Sequence, residues 1–417
     1  MKKVSEQAVS HTCVTTETDD SNQSDIPPEV LYSRGRLSGA AILDNDRMTR
    51  ALLALLLTLA QFPIDAAPRR RAVGHPAPVV VPEALIAAAH QAAQNAMAAG
   101  VPAVQIAVSK GGKIVYSEAF GVTDKVTGTA ATPRSVMQIG SLTKQFTAAA
   151  IVRLAERGAL SLDDRIEKYV PEFDPRGATI TLRHLLTHTS GVPRDWIPFD
   201  MGLDLTKPVS RAMIVNGING KPFDFAPGTS WSYSNAGFML LGFAIESITG
   251  RSYDEFIHNE FALPFGLLDT GVCGSNNLPL PVGYGMTQTS PPMPFIHRTV
   301  LWSSGSFCST ASDLTRWAHL LATGRVVLPD SYATMITPAK LLNNSSTTYG
   351  FGLVVQKRLG QAAVWHGGAI EGYQSFLLYF SERDIAVSVV TNSFPSTAAG
   401  NPEFIGIPVA VAALDTL

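Results

Sequence analysis

Ser141 and Lys144 lie three residues apart in Ser141-Leu142-Thr143-Lys144, a spacing that puts a hydroxyl and an amine on one face of a helix. The segment that follows, Gln145 to Leu154, reads as an amphipathic helix that stops at Gly158. A serine hydroxyl is a poor nucleophile until a base takes its proton, and a desolvated lysine can be that base. The helix N-terminus adds free backbone N–H groups and a positive dipole end, both suited to a developing oxyanion. The chemistry in view is attack by a serine oxygen on a carbonyl carbon.

Two later segments supply partners. Trp231-Ser232-Tyr233-Ser234-Asn235 follows the Pro227-Gly228 turn and precedes an apolar helix from Gly237 to Ala244. Tyr233 and Asn235 can therefore point from a loop into one cleft. Val364-Trp365-His366-Gly367-Gly368 ends a β-type run and can line the opposite wall. One Ser-x-x-Lys arises by chance in a chain of 417 residues; the three motifs in this order do not.

With these residues the chain resembles the serine β-lactamase and penicillin-binding-protein superfamily. Within it, the resemblance is to class C β-lactamases, D-amino-acid peptidases and related esterases. It runs from about Pro82 to the C-terminus and includes the segment Thr179 to Gly191. The resemblance implies that Ser141 is the nucleophile, Lys144 the base and Tyr233 the proton shuttle to the leaving group. It also implies that Asn235 holds the substrate's carbonyl or amide, with His366 and Gly368 in the substrate-binding strand. The backbone N–H groups of Ser141 and Ala369 would form the oxyanion hole. The competing roles are a helix N-cap for Ser141, a solvated surface lysine for Lys144, a core tyrosine for Tyr233 and a turn residue for Asn235.

His366-Gly367-Gly368 departs from the Lys-Thr-Gly of β-lactamases. A neutral imidazole and a glycine provide neither the cation nor the hydroxyl that help bind a carboxylate. That favours esters, amides or lactones over β-lactams. Glu371 reads as a solvated turn residue at the rim, and His184 and His188 as structural, because Leu185 stands where a zincin needs glutamate. No Gly-x-Ser-x-Gly elbow, nucleotide loop or Cys/His metal spacing occurs, so neither metal nor cofactor is expected.

Hydrophobic content of 46% and charged content of 16% suit an ordered globular chain. A net charge of -2 gives no reason to expect nucleic acid or an anionic membrane as partner. The three cysteines allow at most one bridge. Cys273 and Cys308 are candidates for it, with two free buried thiols as the alternative.

Residues 1–47 are polar and aperiodic and read as a disordered or mis-called extension. Residues 48–67 combine Met48, Arg50, a short apolar core and the small residues Ala66-Ala67, the pattern of an export signal. The core is too short to span a bilayer, so no stable membrane span is expected and the protein is placed in the periplasm or outside the cell. Arg69-Arg70-Arg71 beyond the cut opposes this, and the other reading is a buried helix after a disordered tail.

Residues 82–417 then form the hydrolase domain. Strands 104–110 and 113–121 flank the Gly111-Gly112 turn, and further strands are predicted at 350–355, 361–365, 373–380 and 386–390. The fold class is α/β (α+β): an antiparallel β-sheet built from N- and C-terminal strands and flanked by helices, with a closing helix at 408–417 and a mostly helical lobe at about 135–330. The expected activity is a serine hydrolase of small esters or amides. A D-amino-acid peptidase or carboxypeptidase, a β-lactamase and an inactive cell-wall peptide-binding protein follow in that order.

Overall fold

Both ends of the hydrolase region contribute to one sheet. The computed structural model describes residues 80–196, 202–275, 278, 282–285, 287, 289–394 and 396–417. Contacts divide the chain into Met1–Pro76 and Ala77–Leu417, and every described residue lies in the second unit. The extension at 1–47 and the signal at 48–67 lie outside the described residues.

The first hairpin joins β1 (Ala103–Lys110) to β2 (Lys113–Asp124). Gly111 and Gly112 have φ of 58° and 70°, the doubly left-handed backbone of a type I′ turn, which glycine adopts without Cβ strain. With β3 (Thr129–Ala130), β7 (Val354–Arg358), β8 (Gln361–Ile370), β9 (Tyr373–Phe380) and β10 (Ile385–Thr391), these strands form a seven-stranded sheet ordered β3-β2-β1-β10-β9-β8-β7. Every neighbouring pair is antiparallel. β10 and nearly all of β1 are buried along their whole length, because the central strands are covered on both faces. This explains their near-continuous apolar sequence.

Helices α1 (Glu83–Ala98) and α6 (Pro402–Thr416) cover one face, where Leu85, Ala89, Ala93, Val409 and Ala413 pack against Val104, Ile106 and Val387. The other face meets the larger core. It includes α2 (Thr143–Glu156), α3 (Leu182–Leu186), α4 (Asn235–Thr249) and α5 (Ala311–Ala322). α2 is buried from Thr143 to Val152, with Thr143, Lys144, Gln145 and Thr147 buried beside the apolar residues, so in place of the expected amphipathic helix this stretch is enclosed on every side. A small sheet of β4 (Met137–Gln138), β6 (Phe307–Ser309) and β5 (Gly271–Val272) pins the chain just before α2.

Element ends differ from expectation in several places, among them β2, which runs on to Asp124. His366-Gly367-Gly368 lies inside β8, which continues to Ile370, so the motif belongs to a strand and not to its end. Asn235 is the first residue of α4 and not part of a loop, because the Ser234 side chain caps the helix by accepting from Gly237 N–H at 2.9 Å. β7 starts at Val354, since Gly352 has φ 69° and Gly350 abuts Met335 O closely enough that a Cβ would lie 2.0 Å away. The last helix begins at Pro402 after the Asn401 cap, with Pro408 in its interior.

Candidate active site

Ser141 occupies a 3-10 turn, Gly140–Leu142, immediately before α2. Three contacts hold the turn. Ile139 N–H donates to Phe307 O at 2.9 Å, Thr143 Oγ1 donates to Gly140 O at 2.7 Å, and Phe307 N–H donates to Thr143 Oγ1 at 3.1 Å. The turn is pressed against β8. A Cβ on Gly140 would lie 2.8 Å from Ala369 N, and one on Gly368 would lie 2.0 Å from Ile139 O. Ser375 Oγ also donates to Ile139 O at 2.7 Å. Glycine at both positions thus brings the backbone of Ser141 beside that of Ala369, the arrangement that two oxyanion donors need.

Lys144 is fully buried. Its Nζ lies 2.7 Å from Asn235 Oδ1, 2.7 Å from Ser304 O and 3.3 Å from Ser141 Oγ. Burial drives its pKa well below the usual 10.5; Asp195 opposes that shift and Arg194 adds to it. A neutral amine has two N–H groups and one lone pair. The two short contacts go to carbonyl oxygens, which can only accept N–H groups, and the third and longest reaches Ser141 Oγ.

Tyr233 stands on the other side of Lys144, its ring centroid 4.7 Å from Nζ. Its hydroxyl is buried without a formed hydrogen bond. Burial raises the phenol's pKa, while the nearby Ser141 side chain and Arg194 pull it down more weakly. Two groups with similar ordinary pKa values are thereby pushed apart, the amine downward and the phenol upward. His188 packs its ring 4.4 Å from the Tyr233 ring, and its Nδ1 accepts from Ser234 N–H at 3.1 Å. Its φ of 60° is left-handed for a side-chain-bearing residue, a conformation that the tight packing around the site holds in place.

His366 faces the same space from β8. Its Nε2 is 2.8 Å from the Tyr349 hydroxyl and its Nδ1 is 2.6 Å from Gly367 O. The backbone carbonyl can only accept, so Nδ1 carries the hydrogen and Nε2 accepts from Tyr349. Burial lowers its pKa to about 4, and any positive charge on Lys144 acts in the same direction, so the ring is neutral at pH 7. Ser141, Tyr233, Asn235, His366, Gly368 and Ala369 all line one cavity of about 490 Å³, whose aromatic walls are Trp231, Tyr349 and Trp365. A second space of about 240 Å³ lies on the other side of Ser141, bounded by Arg194, Asp195, Asn235, Ala369 and Glu371.

The residues singled out by motif therefore converge. Glu371 borders the smaller cavity, half-buried. His184 is engaged elsewhere, in a capping box with Thr181. Cys273 and Cys308 are joined as a disulfide with Cα atoms 5.0 Å apart, tying the end of β5 to β6. Sequence reading missed Asp195, which accepts from Asn235 Nδ2 at 2.8 Å. It also missed Ser304, whose backbone carbonyl carries no side-chain signature, and Tyr349, which lies in an irregular segment. Asp195 stands four residues beyond Gly191, the end of the segment that had drawn attention, and that adjacency was the available signal. Asn235 is engaged at both ends of its amide, which leaves a substrate its second Nδ2 hydrogen and the second lone pair of Oδ1.

Comparison with known proteins gives a consistent result. The chain is 28% identical over 313 residues to penicillin-binding protein 4* of Bacillus subtilis (strain 168), covering 70% of this chain and 68% of that protein. It spans between about three fifths and two thirds of the curated relatives it matches. The octameric penicillin-binding protein homologue from Pyrococcus abyssi aligns with a TM-score of 0.67 at 28% identity, over 79% of this chain and 76% of that one. A D-stereospecific amidohydrolase from Streptomyces sp. aligns with a TM-score of 0.65 at 26% identity, over 76% and 96%. The Beta-lactamase family model matches residues 89–410, a span that contains both walls of the cleft, and the chain accordingly belongs to the Beta-lactamase family, a fold family of serine hydrolases.

Proposed function

We propose that the protein hydrolyses small esters or amides through an acyl-enzyme on Ser141, with Lys144 as base and Tyr233 as proton shuttle. The observation that carries this reading is the placement of Lys144. It is buried, held by two carbonyl oxygens, and directed at Ser141 Oγ. As Oγ attacks the substrate carbonyl, its proton passes to Lys144 and the carbonyl electron pair moves onto oxygen. That oxygen is received by the N–H groups of Ser141 and Ala369. Collapse expels the leaving alcohol or amine, which takes the proton by way of Tyr233. Water then attacks the acyl-serine, giving its proton to the same pair and restoring Ser141.

The larger cavity supports substrates without an essential carboxylate, since it is lined by aromatic rings and a neutral His366. Arg194 favours a second reading, a D-peptidase or β-lactamase that binds a carboxylate. Its side chain borders both cavities and is largely exposed. Its guanidinium lies 3.4 Å from Asp195, which offsets much of that charge. The names of the relatives, a penicillin-binding protein and an amidohydrolase, keep amides in view. The disulfide between Cys273 and Cys308 and the apolar run after Met48 support export as the setting.

The test follows a short-chain p-nitrophenyl ester, a D-alanyl p-nitroanilide and a chromogenic cephalosporin with wild type, Ser141→Ala and Arg194→Ala. Ester or anilide turnover that vanishes in Ser141→Ala and survives in Arg194→Ala supports the first reading. Cephalosporin turnover lost in Arg194→Ala supports the second. A wild type that turns over nothing and gains no mass from a fluorophosphonate refutes both and points to a binding protein.

A further inference from the structure

We infer that Asp195 is a positioning residue that sets which way the Asn235 amide faces and so keeps the Lys144 lone pair free for Ser141. The inference rests on Lys144 acting as the base. Asn235 lies between two partners, with Lys144 Nζ at 2.7 Å on one side and Asp195 Oδ1 at 2.8 Å on the other. A carboxylate can only accept, so the amide must turn its NH₂ toward Asp195 and its oxygen toward Lys144. In the reverse orientation two oxygens would meet on one side. On the other, an amide N–H would point at Lys144 and consume the one lone pair that a neutral amine has. That orientation disarms the base without moving any backbone.

Three features show that this loop is built to hold Asn235. Arg194 O accepts the backbone N–H of Asn235 at 2.7 Å and that of Ala236 at 3.1 Å. Pro193 O accepts Ser234 Oγ at 2.8 Å. The Asp195 side chain is itself mostly buried, with an exposure of 18%. Asp195 has a second, electrostatic effect, because its charge opposes the depression of the Lys144 pKa. The other ionisable groups around Lys144 are Arg194 on the same loop, Tyr233 before α4, His188 beyond α3 and His366 on β8. Of these, Arg194 is the fixed cation, and Asp195 is the anion that opposes it.

The experiment uses an alkyl fluorophosphonate, which reports on Ser141 without knowledge of the substrate. Oγ–P forms, P–F breaks, fluoride leaves, and the serine proton goes to Lys144. Pseudo-first-order labelling is followed from about pH 5 to 10 for the full chain, with folding checked by thermal unfolding. Asp195→Ala should lower the plateau rate about tenfold or more and move the acidic limb to lower pH. In the Asn235→Ala background, Asp195→Ala should leave the plateau unchanged, since its positioning action runs through Asn235, while its direct effect on Lys144 should still move the limb. Asp195→Asn, which keeps the volume, should still move the limb to lower pH. A wild-type plateau in Asp195→Ala, an additive loss in the double variant, or an unmoved limb in Asp195→Asn overturns the inference alone. Absence of labelling in the wild type, or undiminished labelling in Lys144→Met, overturns the catalytic reading beneath it.

Discussion

Lys144 and Tyr233 differ by about half a unit in ordinary pKa, and burial pushes them in opposite directions. The cause is common to both: an apolar surround disfavours whichever form is charged. Replacing Lys144 with Met keeps the volume and removes the base. Labelling of Ser141 should then fall by about 10²–10⁴, and a rate within a few-fold of wild type would contradict the role. The pH dependence follows from the same shift. With Lys144 as the proposed base, only its neutral form takes the Ser141 proton, so kcat/KM should rise with pH through its lowered pKa. His366 is already neutral above about 4, so His366→Gln should leave that limb where it is. A limb that disappears in His366→Gln would assign the titration to the wrong residue.

At the scale of elements, the site depends on how closely β8 approaches the turn before α2. Gly368 has no room for a side chain, with Ile139 O at 2.0 Å and Ser375 Oγ at 2.4 Å from a Cβ placed there. Gly368→Val must open the contact that brings Ser141 beside Ala369. Overpacking of this kind typically costs about 1–3 kcal/mol, and the rate should fall more steeply than stability does. Parallel denaturation and labelling measurements separate the two. The disulfide acts on the same turn from the other side, because Cys308 lies in β6, which pairs with β4 at the entrance to the Ser141 turn. The bridge closes a loop with a sequence separation of 35 residues, for which chain entropy gives on the order of 4 kcal/mol. Cys273→Ser/Cys308→Ser should therefore lower the unfolding midpoint, and reducing agent should do the same to wild type but not to the double variant.

For the whole molecule, several ionisable groups are buried uncharged at the centre of one core. His188 and His366 both have pKa values lowered by burial. As pH falls below 6.5 the unfolded chain takes up protons that the native histidines refuse. Stability is therefore full above 6.5 and is lost as pH approaches about 4, where His366 itself protonates. At about 1.4 kcal/mol per unit, His366 alone contributes on the order of 3 kcal/mol to that loss. Urea unfolding at pH 7 and pH 4.5 should show a smaller difference for His366→Gln than for wild type; equal differences would remove His366 from the account.

Ser141-Leu142-Thr143-Lys144, Tyr233-Ser234-Asn235 and His366-Gly367-Gly368 were legible because each is a compact motif, and their order pointed to one family. The strands at both ends were legible because central strands covered on two faces must be apolar throughout. Sequence alone also suggested a neutral His366, since a lone imidazole ordinarily titrates below pH 7. The partners of the motif residues were not legible. Tyr349, the Ser304 carbonyl and Asp195 meet the motif residues only after the chain has closed the cleft, and none lies at a fixed spacing from them. The lowered pKa of Lys144 belongs to the tertiary structure too, because desolvation depends on what surrounds the amine and not on its neighbours along the chain. Local sequence could place a serine and a lysine on one turn; only the packed core could desolvate that lysine.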